Sequence, residues 1–351
     1  MLSHRHLKSA LAVATILCIF SSAFDSRIII EDTAFTSLLG SSPEVIELTK
    51  ATSQFYHEGA SYHAPTKSLW TASDMMKSGN TTVRLIHRLT HLESRKSLRI
   101  EQINHTVPNP IGAVANVRGS PLGDVLLYAA QGTLAKSPPG GVYALNPYPP
   151  YNSSLVLGSY GEYPFNSLDD IAVTSDGVIW VSDPPLGYGQ GNRPIPILPN
   201  QVYAFDPATN RSRVLADGFG RPNGLAANVD DSVVYIGDTG ADIGNKTIDY
   251  QGPRSAFLSN RRIFAMPQDR ATAADGIKTD TRGNVWATVV GTGVVVWGSD
   301  GTLLGSIKLE GTMGNLVFGE AGQLFVLGGD RIYKIRVSTD VVGVAFEHGY
   351  K

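Results

Sequence analysis

Six short phrases of one shape recur along the chain: KSLWTASD at 67–74, DVLLYAAQG at 124–132, DGVIWVSD at 176–183, DSVVYIGD at 231–238, GNVWATVVG at 283–291 and GQLFVLGGD at 322–330. Each sets apolar residues after a turn, an aromatic at a fixed point, then small residues and often Asp. The aromatics Trp70, Tyr128, Trp180, Tyr235, Trp286 and Phe325 are separated by 58, 52, 55, 51 and 39 residues. A later strand phrase also recurs, as VYALNP at 142, VYAFDP at 202, RIFAMP at 262, VVVWGSDG at 294 and RIYKI at 331. The 37 Gly and 20 Pro punctuate these runs and favour short strands over helices. One such unit cannot bury its own apolar face, and an all-strand repeat of this length points to propeller blades of four strands around a channel. A solenoid or a pair of sandwiches is the alternative, but solenoid repeats are usually shorter. The expectation is an all-β chain with a single six-bladed β-propeller over residues 50–345. Residues 24–49 form an N-terminal arm that supplies a closing strand.

The first residues, MLSHRHLKSALAVATILCIFSSAFDS, have a basic start, an apolar stretch from Leu11 to Phe20, and small residues Ser21 and Ala23 suited to a cleavage site. They read as a secretory signal over 1–23, too short in its apolar part for a bilayer span of about 20 residues. The lone cysteine, Cys18, lies inside that segment, which removes thiol, disulfide and cysteine–metal chemistry from the mature chain. Sequons at Asn80, Asn104, Asn152, Asn210 and Asn245 agree with a secreted or secretory-lumen location. The 29 basic and 31 acidic residues are interspersed, which argues against a nucleic-acid partner or a polybasic membrane patch and leaves a small molecule as the expected partner.

Counting back eleven or twelve residues from each aromatic gives Glu58, Asn116, Asp169, Asn223, Asp275 and Gly314, the last with Asn315 beside it. Equivalent positions of successive blades lie on one ring about the axis. The expectation is therefore a crown of carboxylate and amide oxygens at one channel mouth. Such a crown suits one divalent cation, Ca²⁺ ahead of Mg²⁺, Mn²⁺ or Zn²⁺, held at least by Glu58, Asn223 and Asp275. Asn-Gly and Asp-Gly are also hairpin pairs, which accounts for Gly224 and Gly276 but not for Glu58 or the shared phase. Alternation along a strand puts His57 on the opposite face from Glu58, in a packing role, although His57 and His63 could still form a paraoxonase-like pair.

HEGASYHAPTKSLWTASD, FNSLDDIAVTSDGVIWVSDPPLGYG, RPNGLAANVDDSVVYIGDT and ADGIKTDTRGNVWATVVGTGVVVWGSDGTLLG resemble, in order, the EGPVW entrance, the PND and DPPYG segments, the PNGL segment and the DG segment of the senescence-marker-protein/gluconolactonase (regucalcin-like) family. The resemblance spans about residues 55–335 and is specific from 160 onward. It implies a six-bladed propeller with lactonase activity and one divalent cation on Glu58, Asn223 and Asp275. The chain departs from the N-x-P-N-D pattern, with Leu168 for Pro and Asp169 for the second Asn. Asp275 is then the family-like base in lactone hydrolysis, and Asp169 or Asp170 the local alternative. Asn116 is an oxyanion donor, and Tyr188 and Arg193 lie on a Gly/Pro-rich loop expected to lid the mouth. The alternative is a non-hydrolytic enzyme of specialised metabolism on the same fold, a cyclase, hetero-Diels-Alderase or strictosidine-synthase-like condensing enzyme, which would need an apolar funnel above the crown. A non-enzymatic binding propeller is the third possibility.

Overall fold

The computed structural model describes residues 25–79, 81–115, 121–135, 137–240, 246–251, 258–266 and 273–345. Six antiparallel sheets follow one another along the chain. Sheet one comprises Glu58–His63, Ser68–Ala72, Ile86–Thr90 and Arg99–Ile103, and sheet two Pro110–Val114, Leu126–Ala130, Gly141–Leu145 and Ser153–Leu157. Sheet three comprises Ile171–Val173, Ile179–Asp183, Gln201–Asp206 and Arg211–Ala216, and sheet four Pro222–Ala227, Val233–Asp238, Lys246–Gln251 and Ser259–Ala265. Sheet five runs through Ala274–Thr279, Val285–Val289, Gly293–Trp297 and Leu303–Lys308, and sheet six through Leu316–Phe318, Gln323–Leu327 and Arg331–Arg336. The first strands of successive sheets touch one another in order, and the sixth touches the first, so they close a ring. The chain is an all-β propeller.

Each repeated aromatic sits on the second strand of its sheet and is buried. These middle strands are covered on both faces, which is why they read as continuous apolar runs rather than as alternating ones. The aromatics also join neighbouring sheets. Trp286 packs its ring against Phe318 of sheet six at 5.6 Å and donates its indole N–H to Asp280 at 2.9 Å. Trp70 of sheet one meets Tyr151 beside sheet two, and Phe325 of sheet six stacks on Tyr62 of sheet one. The later strand phrase is the third strand in sheets two, three, five and six. In sheet four RIFAMP belongs to the fourth strand, because Lys246–Gln251 takes the third place.

The arm does more than expected. Ile28–Ile30 pairs with Leu303–Lys308 as a fifth strand on sheet five, and Glu44–Lys50 pairs with Arg331–Arg336 as the outer strand of sheet six. Sheet six thus joins both ends of the chain. Between them runs helix α1, Thr33–Leu39, capped by Asp32, whose carboxylate accepts the Ala34 N–H at 2.7 Å. Phe35, Leu38 and Leu39 of α1 are buried against sheets five and six. A boundary at residue 50 falls on the last residue of a closing strand. At the far end of the channel, Val344 and Ala345 help line a small apolar cavity with Ala60, Val114 and Leu225. No helix among the described residues is long and apolar enough to cross a membrane.

If the arm is part of the core, Phe35→Ala should destabilise the protein by about 3–5 kcal/mol, as deletion of a buried aromatic does elsewhere. Chemical denaturation checks this, and a loss below about 1 kcal/mol would mark the arm as an appendage.

Candidate active site

The ring of first strands brings the expected crown together, with one exception. Cross-strand pairing sets Ser61 opposite Trp70, Ala172 opposite Trp180, Ala226 opposite Tyr235, Lys278 opposite Trp286 and Val317 opposite Phe325. Three residues before each lie Glu58, Asp169, Asn223, Asp275 and Gly314. In sheet two Tyr128 pairs with Ala113, so the same position is Pro110. Asn116 itself lies outside the described residues. The expectation that it joins the crown as an oxyanion donor therefore falls outside the described residues, and the crown position of sheet two is held by Pro110. The long connection between Val114 and Leu126 makes a count along the sequence land past the strand.

Two aspartates of the repeat hold this arrangement in place. Asp183, ending the second strand of sheet three, accepts the N–H groups of Asn166 at 3.0 Å and Ser167 at 2.8 Å. Asp238, its counterpart in sheet four, accepts those of Gly220 at 3.2 Å and Arg221 at 2.8 Å. These donors lie three and two residues before Asp169 and Asn223. The repeat's terminal Asp therefore fixes the backbone that delivers each crown residue. Gly224 and Gly276 lie inside strands, where a turn role does not apply. A Cβ on Gly224 would stand 2.2 Å from the Asp275 carbonyl oxygen, and one on Gly276 2.7 Å from the Asn315 side chain.

Glu58, Asp169, Asn223 and Asp275 line a cavity of about 460 Å³ at the crown, joined by His57, Arg84 and Arg221. Ligand atoms of His57, Glu58 and Asp275 lie within 4.8 Å of one another. The expected packing role of His57 is thus corrected. The strand begins at Glu58 and its register slips between Glu58 and Ser61, so simple alternation does not reach His57. His57 Nε2 stands 3.8 Å from Glu58 Oε1, and its buried Nδ1 has no hydrogen-bond partner. His63 is elsewhere, bonded through Nε2 to Asp124 at 2.8 Å and through Nδ1 to Thr66 at 2.7 Å, so no His pair forms at the mouth.

Burial raises the pKa of all three crown carboxylates. Asp169 is pushed well above the usual range by burial, then by Glu58 and Asp170; Asp275 likewise by burial, then by Glu58 and Asp169. Glu58 is raised by burial against the pull of His57 and of the Asn315 amide, which donates to it at 3.1 Å. Asp169 Oδ1 is buried without a partner. A set of carboxylates with an amide and an imidazole, one oxygen left unpaired, fits a divalent cation.

Asp170 does not line the cavity, and its buried Oδ1, like that of Asp169, has no hydrogen-bond partner. Its Oδ2 accepts the Leu225 N–H at 2.9 Å and stands 3.6 Å from Lys278 Nζ, so that oxygen ties sheets three, four and five together. Arg193 is likewise taken up inside the protein: its guanidinium donates to the carbonyls of Asn166, Thr133 and Phe165 at 2.8, 3.0 and 2.6 Å. The loop that carries it is pinned, because Asn166 also accepts the N–H groups of Ile197 and Leu198. Tyr188, on the short helix Leu186–Gly189, is 51% exposed and does not line the cavity, whereas its neighbours Leu186 and Gln190 do. Of the sequons, Asn104, Asn152 and Asn210 are exposed, while Asn80 and Asn245 lie outside the described residues, as does the 1–23 segment.

The family model described as the SMP-30/Gluconolactonase/LRE-like region matches residues 56–328. A lactonohydrolase of Aspergillus oryzae is 32% identical over 220 residues, covering 56% of this chain and 50% of that protein. The gluconolactonase of Zymomonas mobilis is 31% identical over 198 residues, 53% of this chain and 54% of that protein. The alignments thus span about half the length of these relatives. Among solved structures, a Xanthomonas campestris gluconolactonase superposes with a TM-score of 0.73 at 24% identity, covering 88% of this chain and 94% of that one. A calcium-binding regucalcin from Agrobacterium tumefaciens gives 0.59 at 16% identity, covering 83% and 94%. Both likenesses bear on the fold.

Since the folded pKa values of Glu58, Asp169 and Asp275 stand above their unfolded ones, the folded state holds extra protons once pH passes the ordinary carboxylate range. Chelator-treated protein should therefore lose stability as pH rises from about 4 towards neutrality. Asp183, pushed up to about 7 by burial, adds to the same trend. Asp169→Asn should raise the melting temperature of chelated protein at pH 7 and flatten the decline. An unchanged profile would mean that the carboxylates do not repel one another.

Proposed function

The chain belongs to the SMP-30/gluconolactonase family, and from that premise we propose that it is a six-bladed, divalent-cation-dependent hydrolase of lactones. The observation that carries the reading is the convergence of Glu58, Asp169 and Asp275, with His57 and Asn223, on one cavity. The six sheets are read as the six blades, with the arm closing the fifth and sixth. The two curated relatives, named lactonohydrolase and gluconolactonase, support the reaction class.

Glu58, Asn223 and Asp275 would hold the cation, Ca²⁺ by the hardness of their oxygens, with His57 near enough to add a nitrogen. When bound, such a cation polarises an ester carbonyl and offsets the negative charge that forms on it. The chain's own groups account for the protons. Asp169, with an unpaired buried oxygen and a pKa raised toward neutrality's side of the carboxylate range, takes the proton of the water that attacks the carbonyl carbon. Cleavage of the ring C–O bond returns that proton to the leaving alkoxide, and the product is a hydroxy acid. Asp275 is accounted for as a cation holder, since the Asn223 side chain bonds to it and lowers its pKa against the dominant effect of burial.

Ile111, Leu186, Ala273 and Val290 are the apolar members of the cavity wall, and the remainder is polar or charged. A charged wall favours hydrolysis over the apolar funnel that a cyclase or condensing enzyme would need. The basic-then-apolar start of the chain and the exposed Asn104, Asn152 and Asn210 support a secretory route for the protein.

The expected outcome is turnover of five- or six-membered lactones by the purified protein, abolished by chelation and restored by a divalent cation. Asp169→Asn should lower kcat by about 100-fold or more while the bound metal, measured by elemental analysis, stays in place. Asp275→Asn should lose metal and activity together. Bound metal without any lactone turnover would overturn the hydrolase reading.

A further inference from the structure

Two guanidinium groups of the cavity take no part in the reaction described above. Arg84 lies between the second and third strands of sheet one and is 2% exposed. Its position is fixed from behind: its backbone N–H donates to Asn109 Oδ1 at 3.1 Å, and the next N–H, of Leu85, donates to Ser73 Oγ at 2.8 Å. Asn109 is itself buried and held by a bond from Nδ2 to the Gly132 carbonyl at 2.8 Å. Of the guanidinium, Nη1 donates to the Ser73 carbonyl at 2.9 Å and stands 3.5 Å from Asp74 Oδ1, while Nε is buried with no partner. Asp74 is a loose ion-pair partner on the Nη1 side, at 3.5 Å and with a half-exposed side chain, and it leaves Nε open.

Arg221 approaches the same cavity from sheet four, two residues before Asn223. Its backbone N–H is held by Asp238, and its exposed guanidinium has no hydrogen bond or ion pair among the described residues. Both cations act on Asp169, where their attraction opposes the dominant burial and the repulsion of Glu58 and Asp170. They therefore stand near the carboxylate assigned to take the proton in hydrolysis.

A buried guanidinium with open donors is costly unless a planar acceptor completes it, and a carboxylate matches its fork in two parallel bonds. With a cation bound, the charge count of the wall is balanced: Glu58, Asp74, Asp169 and Asp275 against Arg84, Arg221 and a divalent ion. An anionic substrate is then not repelled as a whole and meets two positive groups on entry. We propose that Arg84 and Arg221 form a carboxylate subsite beside the reacting ester, so that the preferred substrate is a lactone carrying a second, ionised carboxyl group. This rests on the lactonase reading and adds the substrate class to it. The carboxylate meant here is a substituent of the intact lactone and is distinct from the one that ring opening creates.

The test compares a five-membered lactone bearing a ring carboxylate with its primary amide, using the metal-loaded enzyme. The wild type should prefer the carboxylate, and its KM for that substrate should rise with salt. Arg84→Gln should raise this KM by about 10- to 100-fold and leave KM for the amide within about twofold, with Arg84→Lys recovering part of the loss. Arg221→Gln, exposed and so better screened, should cost about two- to fivefold on the carboxylate alone and is the safer variant should Arg84→Gln fail to fold. Equal preference for the two lactones in the wild type, or an equal loss on both in each variant, would overturn the subsite. A second readout does not depend on turnover: calorimetric binding of a hydroxy-dicarboxylate to the metal-loaded protein should weaken by a similar factor in Arg84→Gln and fall with salt. If the wild type turns over no lactone, the hydrolase reading fails, and that binding measurement still decides the subsite, with equal binding by wild type and both variants overturning it.

Discussion

Backbone meets backbone around the channel axis, and the rest of the site depends on that contact. The Cβ that Gly112 lacks would stand 2.3 Å from the Asp169 carbonyl oxygen, that of Gly224 2.2 Å from the Asp275 oxygen, and that of Gly314 2.1 Å from the His57 oxygen. In sheets two, four and six a glycine thus lays bare backbone against the start of the next sheet, at or beside its crown residue. Backbones approach this tightly at these three contacts only because a side chain is missing. Glu58, Asn223 and Asp275 each stand just before a strand glycine, and their side chains line the cavity. Crowding of the strands and convergence of the carboxylates are two results of one packing constraint.

That convergence is expensive. Three carboxylates in a buried space raise one another's pKa, and the folding of the surrounding sheets must carry the cost. The protein relieves it unevenly. Asn315 donates to Glu58 and His57 stands close to the same group, whereas Asp169 keeps an unpaired oxygen. Asp170, adjacent in sequence and equally buried, accepts a backbone N–H and faces a lysine. Both aspartates keep one buried oxygen without a partner, but Asp170 uses its other oxygen to bind three sheets together, whereas Asp169 lines the cavity.

The framework was legible in the sequence because it is periodic. The six aromatics mark the second strands, and the phase counted back from them leads to Glu58, Asp169, Asn223 and Asp275, which line one cavity. In sheet two pairing register, not residue count, sets the phase, and it gives the crown position to Pro110, while Asn116 lies outside the described residues. His57 was misplaced because alternation was extended past the end of a strand whose register slips at that point. Arg193 misled for another reason: a charged residue in a Gly/Pro-rich loop suggests exposure, but this one satisfies three carbonyls inside the fold. Arg84 and Arg221 carry no periodic signal. One comes from a connection between strands and the other from a strand entrance, and no count along the chain brings them together.

This difference separates what the fold conserves within itself from what it can vary. Asp183 and Asp238 occupy the same place in two repeats and hold the backbone before two crown residues in the same way, so the repeat carries the instructions for the crown. The walls above it are supplied by segments with no counterpart elsewhere in the chain: the turn holding Arg84, the pinned loop carrying Leu186 and Gln190, and Val290 after sheet five's second strand. A substitution in the crown changes a group that six sheets position together, and its effects reach stability and chemistry at once. One in the wall changes a single locally anchored side chain, so substrate preference can shift while the ring and its charge remain as they are.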